Sequence, residues 1–247
     1  MNGVLVELAG LPGSGKSVLA ETLVRRLRAD GVPSMIVDAG VSARARREVR
    51  MIRRAGYALR ETAAEPIAAR RATSVIMRSR QQARRDVPAV LAQWLGTARL
   101  VARSRRQPGV NVFEEGLVQT VWTALLRSQR LRPEQLWLCL PPAAYSDVVL
   151  YLDTGPQLAA DRLAARDSRH SRVQSRPTSS MATELSRGQA LFDDVLRTCP
   201  LQVVRVPSAG ETPATLAERA VGAILESVGS LPPTGPDLRP HAGRPAR

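Results

Sequence analysis

The first residues that could do chemistry lie near the start of the chain, where residues 10–17 read GLPGSGKS. This stretch fits the pattern G-x-x-x-x-G-K-S, and it follows a strand-like apolar run and opens a helical pattern. Glycines let the backbone wrap closely around a phosphate, and the amides at the start of a helix point towards it. The sequence therefore predicts a loop that binds nucleotide phosphates.

Within this predicted loop, Lys16 is expected to contact the β- and γ-phosphates of ATP, and the Ser17 hydroxyl is expected to reach Mg²⁺. The predicted ATP-binding residues are Gly10, Leu11, Pro12, Gly13, Ser14, Gly15, Lys16, Ser17 and Val18. ATP and Mg²⁺ are the cofactors that this motif implies.

Lys16 is also the only lysine in a chain with 36 basic residues, so the remaining 35 are arginines. This composition excludes the guanine-specificity motif of GTPases and the lysine-dependent motifs of protein kinases and β-lactamases. Since arginine fills every other basic position, the lysine marks a site where a planar guanidinium would not serve.

Two carboxylates, Glu114 and Glu115, directly follow a third strand pattern over Val110–Phe113. A carboxylate there could order Mg²⁺ through water, or accept the proton of an attacking hydroxyl group. Strand alternation does not decide which of the two glutamates faces the phosphates, so both are candidates, with Glu114 assigned to the metal.

Arg162 and Arg166 lie four residues apart on a predicted helix, so they share a helix face. Arg169 and further arginines continue into a polar stretch, residues 167–180, which predicts a mobile lid loop. Such arginines could close over a transferring phosphoryl group and offset its charge. A solvated surface is the alternative for the whole set.

Five strand patterns alternate with helical patterns, which predicts an α/β fold with a parallel sheet and helices on both faces. The residues that end or directly follow strands are Gly10, Asp38, Glu114 and Asp153. They should share the carboxyl edge of the sheet, where ligands bind. Asp38 is a candidate contact for a substrate hydroxyl or Mg²⁺, and a helix cap is an equal alternative.

Most of the net charge of +14 lies in one inserted segment, residues 41–106, which holds 17 arginines and four acidic residues. The segment reads as three or four helices, with breaks near Gly56, Pro66 and Pro88. Its first arginines, including Arg44 and Arg47, are candidate substrate contacts on one basic face that extends to Arg54. A solvated helical face is the alternative to a ligand that carries phosphate, or nucleic acid.

The chain is expected to form one domain over residues 1–229, followed by a disordered Pro/Gly/Arg-rich tail over residues 230–247. It has no apolar run long enough for a membrane span and no signal peptide, so we expect a cytoplasmic protein without a membrane partner. Two unpatterned cysteines agree with a reduced compartment. The sequence leaves a homodimer open.

Residues 185–189 read LSRGQ, close to the LSGGQ signature of transporter-type ATPases. That signature precedes a strand that ends in Asp-Glu, whereas the downstream strand pattern here ends in Pro207-Ser208. The required context is missing, so we reject this interpretation.

Three stretches, GLPGSGKS, VFEEG (112–116) and VVLYLDTGPQLAADRLAAR (148–166), resemble the P-loop nucleoside and nucleotide kinases, in particular the thymidylate and deoxynucleoside kinase group. Their order and spacing agree with that group too. The resemblance implies a three-layer P-loop NTPase fold with a five-stranded parallel sheet, and phosphoryl transfer from ATP to a small acceptor. It implies that Lys16 and Ser17 bind ATP and Mg²⁺, that Glu114 is the base and that Arg162 and Arg166 begin the lid.

The chain departs from that group at position 115, where the group has an arginine that contacts substrate and this chain has a glutamate. The sequence therefore favours a kinase for a nucleoside, nucleotide or other anionic metabolite without naming the acceptor. A 5′-hydroxyl polynucleotide kinase that uses the arginine-rich segment is one alternative. A nucleotide-dependent switch or assembly ATPase is the other.

Overall fold

The protein is described here from a computed structural model that covers residues 3–37, 47–83, 86–140, 144–165, 178–208 and 210–229. Five strands alternate with helices: β1 (Val4–Gly10), β2 (Ser34–Ile36), β3 (Val110–Phe113), β4 (Val148–Asp153) and β5 (Val203–Pro207). The helices are α1 (Lys16–Ala29), α2 (Arg47–Ala64), α3 (Pro66–Arg78), α4 (Asp86–Ser104), α5 (Leu117–Leu126), α6 (Pro133–Trp137), α7 (Pro156–Ala164), α8 (Thr178–Arg197) and α9 (Pro213–Gly229).

All five strands are parallel and lie in the order β2-β3-β1-β4-β5, so β1 is central. In the register of β1 with β3, Glu7 lies opposite Phe113. In the register of β1 with β4, Gly10 lies opposite Leu152. The predicted α/β class and the five-stranded parallel sheet are therefore confirmed, and the segments that follow β1, β3 and β4 share one edge.

Helices cover both faces of the sheet, because strands buried on both sides need an apolar layer on each. One core lies between the sheet and α1 with α9, and it contains Val6 and Leu8 of β1. The other core lies between the sheet and helices from α3 to α8, and it contains Leu5 and Ala9 of the same strand. This alternation explains why β1 reads as a nearly continuous apolar run.

The helix that follows β1 lies on the opposite face of the sheet from the helices that follow its neighbours, β3 and β4. The helix after β1, α1, packs on one face, whereas α5 after β3 and α7 after β4 pack on the other. In open α/β sheets, ligands bind at the carboxyl ends of the strands, where the helices after neighbouring strands diverge to opposite faces in this way. None of the helices in the described ranges combines the length and apolar character needed to cross a bilayer.

The described part of the inserted segment contains three helices, and one of its predicted breaks is wrong. Pro66 begins α3 as predicted. The break near Pro88 is also present, because α3 ends at Arg78 and α4 begins at Asp86. Pro88 lies in the first turn of α4, where a missing backbone N–H removes no intrahelical hydrogen bond. Gly56 lies inside α2, whose length and packing against α4 outweigh the lower helix propensity of one glycine.

The predicted lid over residues 167–180 is partly wrong, because α8 already begins at Thr178. The rest of that prediction lies outside the described residues. The LSRGQ stretch lies in the middle of α8, where the carbonyl of Gly188 accepts a hydrogen bond of 2.7 Å from Trp122 Nε1. A Cβ at position 188 would lie 3.1 Å from the Trp122 ring, so this glycine serves helix packing.

Glu7 is the only charged residue of β1, and its side chain is fully buried. Its carboxylate accepts a hydrogen bond of 3.2 Å from the backbone N–H of Gln119 in the first turn of α5. A Cβ at Gly116 would lie 2.3 Å from Glu7 Cδ, so only glycine allows the turn after β3 to approach this closely. Burial raises the pKa of Glu7 to about 7, although hydrogen bonds from the start of α5 lower it.

Because this pKa lies above the ordinary value of 4.5, the unfolded chain ionises first as the pH rises. The contribution of Glu7 to stability is therefore complete below about pH 4.5 and is lost between about pH 4.5 and 7. We expect Glu7→Gln, which removes this titration, to become more stable relative to wild type by roughly 3 kcal/mol across that range. Urea unfolding at several pH values measures the difference.

The control variant replaces Glu218, a glutamate on α9 whose side chain is 66% exposed. Glu218→Gln is expected to follow the wild-type pH profile. If the stability of Glu7→Gln changed with pH in parallel with that of wild type, the raised pKa of Glu7 would be contradicted.

Candidate functional site

The glycine-rich loop, residues 10–17, joins β1 to α1 and packs tightly against α7. Gly13 has a φ of +87°, and a Cβ there would lie 2.4 Å from the carbonyl oxygen of Ala159. Gly15 has a φ of +98°, and only Arg162 Nη1, at 3.9 Å, approaches the position of its Cβ. The glycines therefore let the loop turn in a left-handed conformation while it lies directly on a neighbouring helix.

Lys16 begins α1, and its side chain folds back over the loop that precedes it. Its Nζ donates hydrogen bonds to the carbonyl oxygens of Gly10, at 2.7 Å, and Leu11, at 3.0 Å. The ammonium group is therefore held over the loop, at the amino end of α1. Leu11, predicted as a ligand contact, has a fully buried side chain in the core, so only its backbone is available to a ligand.

Ser17 and Glu114 meet across 97 positions of the sequence. Ser17 Oγ donates a hydrogen bond of 2.7 Å to Glu114 Oε2. The contact joins the start of α1 to the turn after β3, and both side chains are accessible at the sheet edge. These two residues are the ones that the sequence assigned to the metal.

Glu115 has a different partner from Glu114. Its Oε2 lies 3.4 Å from Arg54 Nη2, and the two side chains are 61% and 36% exposed. Glu114 is therefore the glutamate that faces the loop after β1. Arg54 enters the site from α2, although the sequence placed it only within a broader basic face.

Arg162 contacts the loop directly and does not project away from it as part of a lid. Its Nη1 donates a hydrogen bond of 3.3 Å to the carbonyl oxygen of Ser14. The same oxygen lies 3.4 Å from the Thr154 hydroxyl, which also contacts the buried Ser208 hydroxyl. The sequence does not predict Thr154 and Ser208 as site residues, because single hydroxyl residues after strands form no distinguishing pattern.

For several other predicted site residues, the structure describes no side chain at the site. Asp38, Arg44, Arg166 and Arg169 lie outside the described residues. Arg47 is the first residue of α2, and only its backbone is described. Asp153, expected at the same edge, directs its carboxylate to Arg205 of β5, with Oδ2 3.7 Å from Nη1.

The donor set at this edge fits a phosphate group together with Mg²⁺. The buried Ser14 Oγ has no hydrogen-bond partner among the described residues, which is unusual for a polar atom inside the turn. Ser17 and Glu114 offer oxygen atoms, which hard cations prefer. The described residues contain no cluster of three or more His, Cys, Asp or Glu that could hold a metal. Mg²⁺ is usually held by one or two carboxylates with substrate phosphates and water.

Neither a protein-family model nor a curated protein matches this chain. We therefore infer its function from the residues at the carboxyl edge of the sheet.

The contact of Gly13 with α7 leads to a stability prediction. Gly13→Ala places a methyl group against the Ala159 carbonyl in a left-handed conformation, so we expect it to destabilise the fold by roughly 2–3 kcal/mol. Urea unfolding gives the value. Gly155→Ala is the matched control at the start of α7, because position 155 has a negative φ of −55° and nothing within 4 Å of its Cβ. Equal losses in the two variants would show that the Gly13 contact is not specific.

Proposed function

We propose that the protein is an ATP-dependent kinase that transfers the γ-phosphoryl group of ATP to a small acceptor. The observation that carries the proposal is the Ser17–Glu114 hydrogen bond, because it joins the end of the glycine-rich loop to a carboxylate directly after the neighbouring strand, β3. A hydroxyl and a carboxylate beside a glycine-rich loop form the set that phosphoryl transfer with Mg²⁺ requires. The resemblance to thymidylate and deoxynucleoside kinases supports the same P-loop class.

ATP would supply the phosphoryl group, and Mg²⁺ would offset the charge on its oxygens. Residues 10–17 would bind the phosphates through backbone amides at the start of α1. Lys16 would bind them through its ammonium group, which already lies over the loop. Ser17 and Glu114 would hold the metal, directly or through water.

Arg162 supports the proposal through its position against the loop at Ser14. A guanidinium there could offset negative charge on a phosphate without a closing movement, because its contact with the loop is already formed. This role differs from the lid role that the resemblance implied for the same residue.

The acceptor is proposed to lie between Glu114 and α2. Glu114 is the candidate general base, which would take the proton of an acceptor hydroxyl. Arg54 lies 3.4 Å from Glu115, the position at which the kinases that this chain resembles have an arginine. We propose that Arg54 contacts the acceptor in place of the missing arginine. Nucleosides, nucleotides and other anionic metabolites are the favoured acceptors, and the cytoplasm, which supplies ATP, is the expected location.

Lys16→Ala is expected to lower ATP turnover by at least roughly 10²-fold, because it removes the cation nearest to the proposed phosphates. Lys16→Arg should fail to restore turnover, since the planar guanidinium does not match the compact ammonium group. Steady-state ATP consumption measures both, and thermal unfolding checks that each variant is folded. Full turnover by Lys16→Ala would overturn the proposed function.

Glu114 and Glu115 form an internal comparison. Glu114→Gln should lower kcat by roughly 10²–10⁴-fold, because the amide neither accepts the proton nor balances the metal charge. Glu115→Gln should leave kcat close to wild type and instead change the acceptor KM through Arg54. The reverse result would show that the wrong glutamate has been assigned.

The acceptor is identified by a screen of ATP consumption with nucleosides, nucleotides, sugars, antibiotics and 5′-hydroxyl oligonucleotides. Consumption that requires a small acceptor supports the proposal. Consumption that requires an oligonucleotide indicates the polynucleotide kinase, and steady hydrolysis without any acceptor indicates a switch ATPase. Once an acceptor is known, Arg54→Ala should raise its KM with little change in the KM for ATP.

A further inference from the structure

The outer surface of α2 and α3 exposes four large aliphatic side chains. Ile52, Leu59, Ile67 and Met77 are 71%, 72%, 70% and 66% exposed. They are half of the eight large apolar side chains that are exposed in the described part of the chain. We call these four residues the outer aliphatic set. Half of the exposed large apolar side chains among the described residues therefore lie on these two helices.

Exposed arginines lie beside the outer aliphatic set, on α2, on α3 and just after α3. These are Arg60, Arg70, Arg71, Arg78 and Arg80. Among the described side chains of α2, α3 and their junction, the acidic residues are Glu61, which is buried, and Glu65, which is exposed. The surface is therefore both apolar and positively charged, which suits an anionic partner with an apolar layer.

This surface is separate from the candidate functional site. On α2, Arg54 and Glu61 are seven residues apart and share one face of the helix. Arg54 faces Glu115 at the sheet edge, and Glu61 faces Arg99 of α4. Ile52 and Leu59 each precede one of them by two positions, which is about 200° around a helix. The outer aliphatic set on α2 therefore faces away from the sheet edge.

We propose that the outer surface of α2 and α3 binds an anionic lipid surface, with the outer aliphatic set inserted among the headgroups. Arginines at such a surface contact anionic lipids while their apolar stems extend into the interface. The attachment is peripheral and needs no membrane-spanning helix, so it replaces the sequence-based expectation of no membrane partner. It is independent of the proposed kinase activity.

The spacing of the aliphatic side chains favours a lipid surface over a protein. Ile52 and Leu59 are about 10 Å apart along α2, and the residues between them on that face, Ala55 and Gly56, are small. A helix that docks in a groove needs contiguous anchors every three or four residues. Isolated side chains at this spacing insert separately into a fluid interface, which needs no matching shape.

The composition of the surface also favours lipid over nucleic acid. Proteins that bind single strands use exposed aromatic rings for base stacking, whereas the only aromatic residue of α2 and α3 is Tyr57, which is half-buried. Exposed aliphatic side chains gain little beside a phosphate backbone. They gain free energy when they enter the boundary between headgroups and acyl chains.

The test is co-sedimentation of the full chain with vesicles of phosphatidylcholine alone and with vesicles that contain about one third phosphatidylglycerol. We expect binding only to the anionic vesicles, weakened by added salt. Leu59→Gln with Ile67→Gln should weaken this binding at least roughly tenfold through lost apolar insertion. Arg70→Gln with Arg78→Gln should weaken it by a similar factor through lost attraction.

Matched controls come from other surfaces. Leu138→Gln removes an aliphatic side chain that is 78% exposed at the end of α6. Arg187→Gln with Arg197→Gln removes two exposed arginines of α8. Both controls are expected to bind the anionic vesicles like wild type, and thermal unfolding should be unchanged in all variants because the replaced side chains are exposed.

Absence of binding to anionic vesicles would overturn the proposal, as would equal binding by Leu59→Gln/Ile67→Gln and wild type. Salt-sensitive binding to an oligonucleotide, without vesicle binding, would assign the surface to nucleic acid instead. None of these readouts uses ATP turnover, so the result is independent of the kinase proposal.

Discussion

The parallel pairing of β1 with β3 is the constraint on which the candidate site depends. It brings the loop after one strand and the turn after the other to the same edge of the sheet. The buried carboxylate of Glu7 then holds the start of α5 beneath that turn, and Gly116 leaves the space that this approach needs. Glu114 is consequently directed at Ser17, 97 positions away. A site of this kind exists only when the sheet has formed.

The arginine-rich segment does not act as one uniform basic surface. One face of α2 directs Arg54 to Glu115 at the sheet edge and Glu61 to Arg99 of α4. The opposite face of α2 carries exposed aliphatic side chains, and the exposed arginines of α3 continue that outer surface. Among the described arginines of this segment, Arg54 therefore lies at the sheet edge, others lie on the outer surface of α2 and α3, and Arg105 pairs with Asp147 before β4.

Close packing explains the roles of several residues whose sequence context suggests a different function. Gly188, within LSRGQ, lies against the Trp122 ring and accepts its indole hydrogen bond. Leu11 is a core residue although it lies within the glycine-rich loop. Arg162 is fixed to the loop through Ser14, whereas its sequence context suggested a mobile lid. In each case the neighbour that gives the residue its role is distant in sequence.

The sequence by itself determined the α/β class, the parallel sheet and the positions of the strands, because apolar periodicity and turn residues act over a few positions. It also placed Lys16, Ser17 and the two glutamates after strands, where ligands bind. Only the tertiary structure decided that Glu114 faces Ser17 while Glu115 faces Arg54. Two adjacent side chains after a strand point in different directions, and their partners come from α1 and α2, so local pattern alone carries no information about the pairing.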